Sequence, residues 1–221
     1  MDACGCDPGF EIFDESTAEE DLERYRRSGP DRTTRMLLDM ITEQGVGGTA
    51  VLDIGGGIGV IDHELLHAGA EHAVLVDASP PALQAARDEA RRRGSLERID
   101  FVDGDFVAAA DSIDPADVVT LDRVICCYPD VDGLVRLSAR RARSLYGLVL
   151  PRDRWVLRFG TRLLNAWFRL RGFGYRSFAH PNARVDALVA EAGLQPRREA
   201  QTFVWRVVLY ERVGVPAWQA A

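Results

Sequence analysis

Val51-Leu52-Asp53-Ile54-Gly55-Gly56-Gly57-Ile58-Gly59 is the stretch on which the fold turns. Ala50 to Ile54 is a short, mostly apolar run, which predicts a buried strand. Glycines follow at once, and they let the backbone turn sharply and lie close to a ligand. Val60 to Ala68 then reads as a helix stopped by Gly69. A glycine run alone can mark nothing more than a tight turn, so the flanking sequence has to decide.

Toward the C-terminus, strand and helix patterns alternate. His72 to Asp77 is a second strand. Ser79 caps a helix with Pro80 and Pro81 in its first turn, and Gly94 ends it after Arg93. Arg98 to Val102 and Asp117 to Leu121 read as further strands, Asp130 to Arg143 as a helix, and Leu145 to Leu150 as a fifth strand. Such alternation implies a parallel sheet covered on both faces. Past Pro151 the pattern changes. Arg154 to Arg171 mixes arginine with apolar residues, and Asn182 to Ala192 is another helix. Gln195 to Thr202 and Phe203 to Arg212 then lie too close together for a parallel crossover, so they pair antiparallel. Toward the N-terminus, Ala18 to Arg27 and Asp31 to Gln44 read as helices, the second with Met36, Leu37, Met40 and Ile41 at helical spacing. Residues before Glu15 read as a loose arm.

Composition narrows the function classes. The chain has 221 residues, 47% hydrophobic and 28% charged, as in an ordinary globular protein. A formal charge of −7 argues against a general nucleic-acid coat. No apolar run of about 18 residues appears, and Met1 to Asp7 lacks the basic start of a secretory signal. Cys4, Cys6, Cys126 and Cys127 form two tight pairs, neither a disulfide framework nor a zinc pattern. The expectation is a cytoplasmic protein without metal. All 27 basic residues other than histidine are arginine.

Three acids mark successive strand ends: Asp77, Asp105 and Asp122. A carboxylate about twenty residues after a glycine loop can accept both ribose hydroxyls of an adenosine. That would serve NAD as well, and each acid alone could simply cap a helix. The dinucleotide fingerprint G-x-G-x-x-G fails here, however. Counted from Gly55 it needs glycine where Val60 stands, and from Gly57 where Asp62 stands. A ligand without phosphates fits the loop better.

The loop Asp53-Ile54-Gly55-Gly56-Gly57-Ile58-Gly59 resembles the D-x-G-x-G-x-G loop of class I S-adenosylmethionine-dependent methyltransferases. The resemblance covers residues 49–150 by motif and the C-terminal hairpin by topology. It implies an α/β fold: a Rossmann-like, doubly wound, seven-stranded sheet, mostly parallel with a C-terminal antiparallel hairpin, plus N-terminal helices. It implies that Asp53, Gly55, Gly56, Gly57 and Gly59 lie against the methionine part and the ribose of S-adenosylmethionine. Asp77, with Ala78 beside it, would hold the ribose hydroxyls. Asp105 would meet the adenine amino group, Phe106 would offer a stacking face, and Asp122 would face the methionine end. The product would be S-adenosylhomocysteine. More narrowly, Phe13-Asp14, Arg24-Tyr25 and Val124-Ile125-Cys126-Cys127-Tyr128-Pro129-Asp130 are similar to magnesium-protoporphyrin O-methyltransferases. In that family a tyrosine lies over the site, a place Tyr25 matches, and a histidine stands where this chain has Cys127, which implies a different acceptor.

These readings divide the chain in two. Residues 1–46 form an arm and helices covering the site. Residues 47–221 form the cofactor-binding domain, with a lid insertion at about 152–180. The expected reaction is in-line methyl transfer to a small molecule, at oxygen, the acceptor being flat or carboxylate-bearing. His180 is the candidate base, with Tyr128 and Tyr25 shaping the site. His63 and His67 read as helix-surface residues. The arginine and aromatic stretch from Arg154 to Tyr175 also admits plain packing, a membrane surface or single-stranded nucleic acid. A nucleic-acid or protein methyltransferase has less behind it, since no Asn/Asp-Pro-Pro-Tyr motif appears. A non-catalytic cofactor-binding sensor or scaffold is the alternative from another class.

Overall fold

The structure is a computed structural model that describes residues 14–171 and 176–214. Cys4, Cys6, Phe13, Phe173 and Tyr175 lie outside the described residues. Seven strands form one sheet in the order β3-β2-β1-β4-β5-β7-β6. They are β1 (Ala50–Ile54), β2 (His72–Asp77), β3 (Ile99–Asp103), β4 (Ala116–Asp122), β5 (Ala142–Pro151), β6 (Leu194–Gln201) and β7 (Trp205–Arg212). The first five run parallel, and β7 pairs antiparallel with both β5 and β6. Strand order reverses at β1 and β4, and ligands in open α/β sheets bind beyond the strand ends at that reversal. The glycine loop leaves β1 at this place.

Side-chain alternation along the strands feeds two cores. Leu52, Ile54, Val119 and Leu121 point to one face, where α5 (Phe106–Ala109), α6 (Val131–Arg141) and α8 (Asn182–Glu191) cover them. Val51, Leu75, Val118 and Val149 point to the other. There they meet Leu37 and Ile41 of α2 (Arg32–Thr42), Leu65 of α3 (Val60–His67) and Leu83 of α4 (Pro80–Arg93). Close packing is visible at Gly147, where an added Cβ would sit 2.8 Å from Leu37 Cδ1. α1 (Glu15–Ser28) packs on α4. Caps explain the helix starts: Asp14, Asp31, Ser79, Asp105 and Asp130 each accept a hydrogen bond from a first-turn backbone N–H.

Some boundaries differ from the sequence reading. β5 begins at Ala142, inside the stretch expected to be helical, because Ala142 pairs with Ala116 of β4 while Arg143 stays exposed. α5 was not expected, since four residues are too few for a helical period to register. His63 is a correction: it is 2% exposed rather than on a helix surface, because α3 turns that side toward α1. His67 is exposed as expected.

α7 (Trp155–Leu170) stands apart from the layers. Among its described side chains none is buried, and Trp155, Phe159, Leu163 and Leu170 are all more than half exposed. Among the described residues no helix is long and apolar enough to cross a membrane.

Candidate functional site

The glycine loop is shaped by what lies beneath and beside it. Gly55 N–H donates to Val76 O at 2.7 Å, which ties the loop to β2. Asp53 is buried under the loop, and its Oδ1 accepts from Thr120 Oγ1 at 2.6 Å. A Cβ at Gly56 would meet Asp53 Oδ2 at 2.6 Å, so no side chain fits there. Gly57 is the opposite case. Its φ of +56° is left-handed, and a Cβ there would meet nothing within 4 Å. The outer side of the loop is therefore open where the inner side is full.

Asp77 closes this loop from β2. Its Oδ2 accepts from Gly57 N–H and its Oδ1 from Ser79 N–H, both at 2.8 Å. Each carboxylate oxygen keeps a further lone pair. Burial pushes its carboxyl up, against the pull of the Ser79 and Gly57 N–H groups. Ala78, between the two donors in sequence, is exposed. An exposed backbone cradle beside a carboxylate fits a neutral sugar whose hydroxyls donate. The residues present thus fit an adenosyl group.

A second cluster forms at the ends of β3 and β4. Asp105 caps α5 through Val107 N–H at 3.0 Å and accepts from Tyr128 Oη at 2.9 and 3.0 Å. The buried Tyr128 phenol is pushed up by burial and then by that carboxylate. It therefore stays protonated as a donor. The Tyr128 carbonyl lies 2.9 Å from His180 Nε2. A carbonyl can only accept, so Nε2 carries the hydrogen, and Nδ1 is the nitrogen with a lone pair in the neutral ring. Phe178 stacks on the His180 ring at 5.7 Å, and its N–H donates to Cys126 O at 2.7 Å. Phe106 is buried in the core, and Cys126 and Cys127 carry sulfurs 3.7 Å apart. Three expected residues, Asp105, Tyr128 and His180, therefore stand together.

Asp122 sits at the tip of β4 and accepts from Thr34 Oγ1 and, at 3.0 Å, from Arg123 Nε. Burial raises its carboxyl while Arg123 opposes. Arg123 also pairs with Asp31, the cap of α2. Tyr25 is placed elsewhere. Its hydroxyl donates to Glu64 Oε1 at 2.5 Å, its ring stacks on His63 at 6.3 Å, and it packs with Ile58 of the loop. Burial is the main cause that pushes its phenol up.

The structure also shows residues that sequence reasoning missed. Both Asp62 oxygens and both His63 ring nitrogens are buried without a hydrogen-bond partner. Burial and the facing Asp53 push the Asp62 carboxyl well up, and burial is the first cause that pushes Asp53 to about 7. Burial pushes His63 down to about 4. Glu89 on α4 is fully buried yet bonded to Arg26, Arg92 and Arg93. Only the last showed a signal beforehand, an acid set three and four residues before arginines on one helix.

A family profile described as a methyltransferase domain matches residues 51–145, the span from β1 into β5 that carries these clusters. The matched segment, a little under half of the chain, is a methyltransferase domain. S-adenosylmethionine is the cofactor of this domain class. The chain is similar to the ribosomal protein L11 methyltransferase of Photorhabdus laumondii, 32% identical over 120 residues, which is 50% of this chain and 40% of that one. The chain spans less than half the length of the curated relatives it matches. In fold it is similar to magnesium protoporphyrin IX methyltransferase from Synechocystis PCC 6803, solved with bound SAH. The TM-score is 0.69 at 18% identity, covering 91% of this chain and 98% of that one. An O-methyltransferase family protein from Burkholderia thailandensis follows, with a TM-score of 0.65 at 19% identity, covering 91% and 61%.

Proposed function

We propose that this chain transfers the methyl group of S-adenosylmethionine to an oxygen of a small-molecule acceptor. The observation that carries the reading is the open cradle at Gly57 beside the Asp77 carboxylate. When bound, the cofactor supplies an electrophilic methyl group on a sulfonium. Gly57 lets the backbone approach it, and Asp77 accepts from the ribose hydroxyls. Asp53 props the loop from below. Asp105 and Tyr128 form a wall between the ends of β3 and β4, and Asp122 lies at the neighbouring tip. The domain contributes mainly alignment, which is worth about 7–11 kcal/mol at best.

His180 Nδ1 is the atom that accepts the acceptor's hydroxyl proton, while Nε2–H stays on the Tyr128 carbonyl. A positioned base contributes roughly 10²–10⁴-fold. Substituting His180→Ala should lower kcat on a hydroxyl acceptor by about that factor and leave the Kd for S-adenosylhomocysteine unchanged. Release of S-adenosylhomocysteine from a panel of phenols, alcohols and carboxylates measures this. Full activity in the variant removes His180 as the base, and a carboxylate acceptor that needs no base would show the same result.

A protein acceptor is the second reading, favoured by the ribosomal protein L11 methyltransferases among the relatives. The same assay with ribosomal proteins as acceptor separates the two. Methyl incorporation there, with none into the small-molecule panel, overturns the first reading.

A further inference from the structure

We propose that α7 docks this protein onto an anionic membrane surface, lying in the interface with its apolar side turned into the lipid. The helix has two distinct sides. Leu157, Thr161, Asn165 and Phe168 recur at helical spacing and are the half-buried positions toward the body. Asn165 fixes that side, donating to Ser177 O at 2.7 Å and accepting from Ser177 N–H at 2.9 Å. The outward arc carries Trp155, Val156, Phe159, Leu163, Leu164 and Leu170, which are 43–85% exposed. Exposed Phe203, at the turn between β6 and β7, extends this arc past the helix start, under the Arg154 guanidinium at 5.0 Å.

Charge selects the occupant. Arg162 and Arg169, seven residues apart and exposed, run along one border of the apolar arc. Arg154 and Arg171 stand at its ends. From residue 152 to 176 the sequence has seven arginines and one aspartate, a formal +6. The whole chain carries −7, so the remainder carries −13. A short helix with a broad apolar side, tryptophan and flanking arginine matches a helix that lies in the headgroup region. Basic groups beside an anionic leaflet each add several-fold to binding. A second copy is a poorer match. Among the described residues, large exposed apolar side chains outside α7 and the β6–β7 turn reduce to Val213. Two copies would therefore have to join α7 to α7 and bring like charges together. α7 follows β5 at the end of the sheet where the glycine loop opens, so docking would bring that opening toward the bilayer.

Sedimentation with vesicles tests the proposal on the full chain. Vesicles of phosphatidylcholine alone should bind weakly. Vesicles of phosphatidylcholine mixed with phosphatidylglycerol should bind at least about tenfold more tightly, and salt should reverse the difference. Leu163→Asp, in the middle of the apolar arc, should lower that binding about tenfold or more. Arg162→Glu with Arg169→Glu should do the same on a surface where folding is not at stake. Calorimetric affinity for S-adenosylhomocysteine should stay the same in all variants, which separates this proposal from the methyltransferase reading. Absence of binding to the anionic vesicles overturns it. So does equal binding by the charge-reversed variant, or a dimer in vesicle-free buffer that Leu163→Asp dissolves.

Discussion

α3 and α7 break the usual rule for helices in opposite ways. α3 has eight residues, of which Ile61, Asp62, His63, Leu65 and Leu66 are buried, so polar groups share the inside with apolar ones. α7 has sixteen and buries none of its described side chains, leaving indole and phenyl rings in water. The difference follows from topology. α3 is the crossover from β1 to its neighbour β2, and such a helix must lie flat on the sheet. α7 has no crossover to make. α8 packs against α6 and leads into β6, so the sheet closes without α7. Burial here reflects position in the winding more than composition. Covering one Leu or Phe stabilises by roughly 1.5–3 kcal/mol, and α7 forgoes that within the isolated chain.

The comparison is sharpest at the loop that feeds α3. Gly57→Val would fill the open cradle and force a branched side chain to a φ of +56°. Affinity for S-adenosylhomocysteine should fall by about a hundredfold or more while circular dichroism stays native. Asp77→Ala should come next, weakening binding by about 1–3 kcal/mol through unpaired hydroxyls and a loosened Gly57 N–H. Titration calorimetry measures both, and unchanged affinity in either would detach α3 and its loop from ligand binding.

Inside α3 the expected effects concern stability and pH. Asp53 and Asp62 have folded carboxyl groups pushed above the unfolded value of 3.8. Their contribution is fully present below that value and is lost as pH rises toward about 7, the Asp53 value. Asp62→Asn should therefore stabilise the protein at pH ~8 by roughly 1–3 kcal/mol and flatten this dependence. His63 runs the other way. Its pKa is depressed from 6.5 to about 4, so its contribution is present above 6.5 and lost as pH falls toward 4. The two trends oppose each other between about pH 4 and 6.5. His63→Phe, which keeps a ring against Tyr25, should leave the carboxyl trend alone, with stability rising as pH falls from about 7 toward about 5, above the range where the arginine-paired Glu89 begins to protonate. Urea unfolding across pH would show it, and a pH-independent curve for both variants would mean that α3 buries no titrating pair. The smallest effect belongs to α7. Leu163→Asp should move the unfolding free energy by less than about 0.5 kcal/mol. A larger loss would show that α7 supports the body after all.

The sequence was legible where a residue type has one physical use. Glycines after an apolar run located the loop, and Ser79-Pro80-Pro81 located the start of α4. The spacing of the last two strands required an antiparallel pair, which β6 and β7 form. Asp77 and Asp105 are legible because strand ends can be read from where apolar runs stop, whereas Tyr128 and His180 stand out only as side chains in the loops after β4 and α7. What stayed hidden depended on facing partners. Periodicity shows that α7 has an apolar side but not what that side meets. Nothing local to Asp62 or His63 says that Asp53 and Tyr25 close over them, and Arg143 masked the early start of β5.

β6 forms one outer margin of the sheet, and its exposed run is Gln195-Pro196-Arg197-Arg198-Glu199. A proline offers no N–H to an incoming strand, and the pairing with β7 is irregular between Pro196 and Arg198. The charges that follow, on Arg197, Arg198 and Glu199, would have to be stripped of water by any chain that tried to extend the sheet. Strand addition is disfavoured along this border, so in concentrated solution clumping should begin at the greasy helix sooner than here.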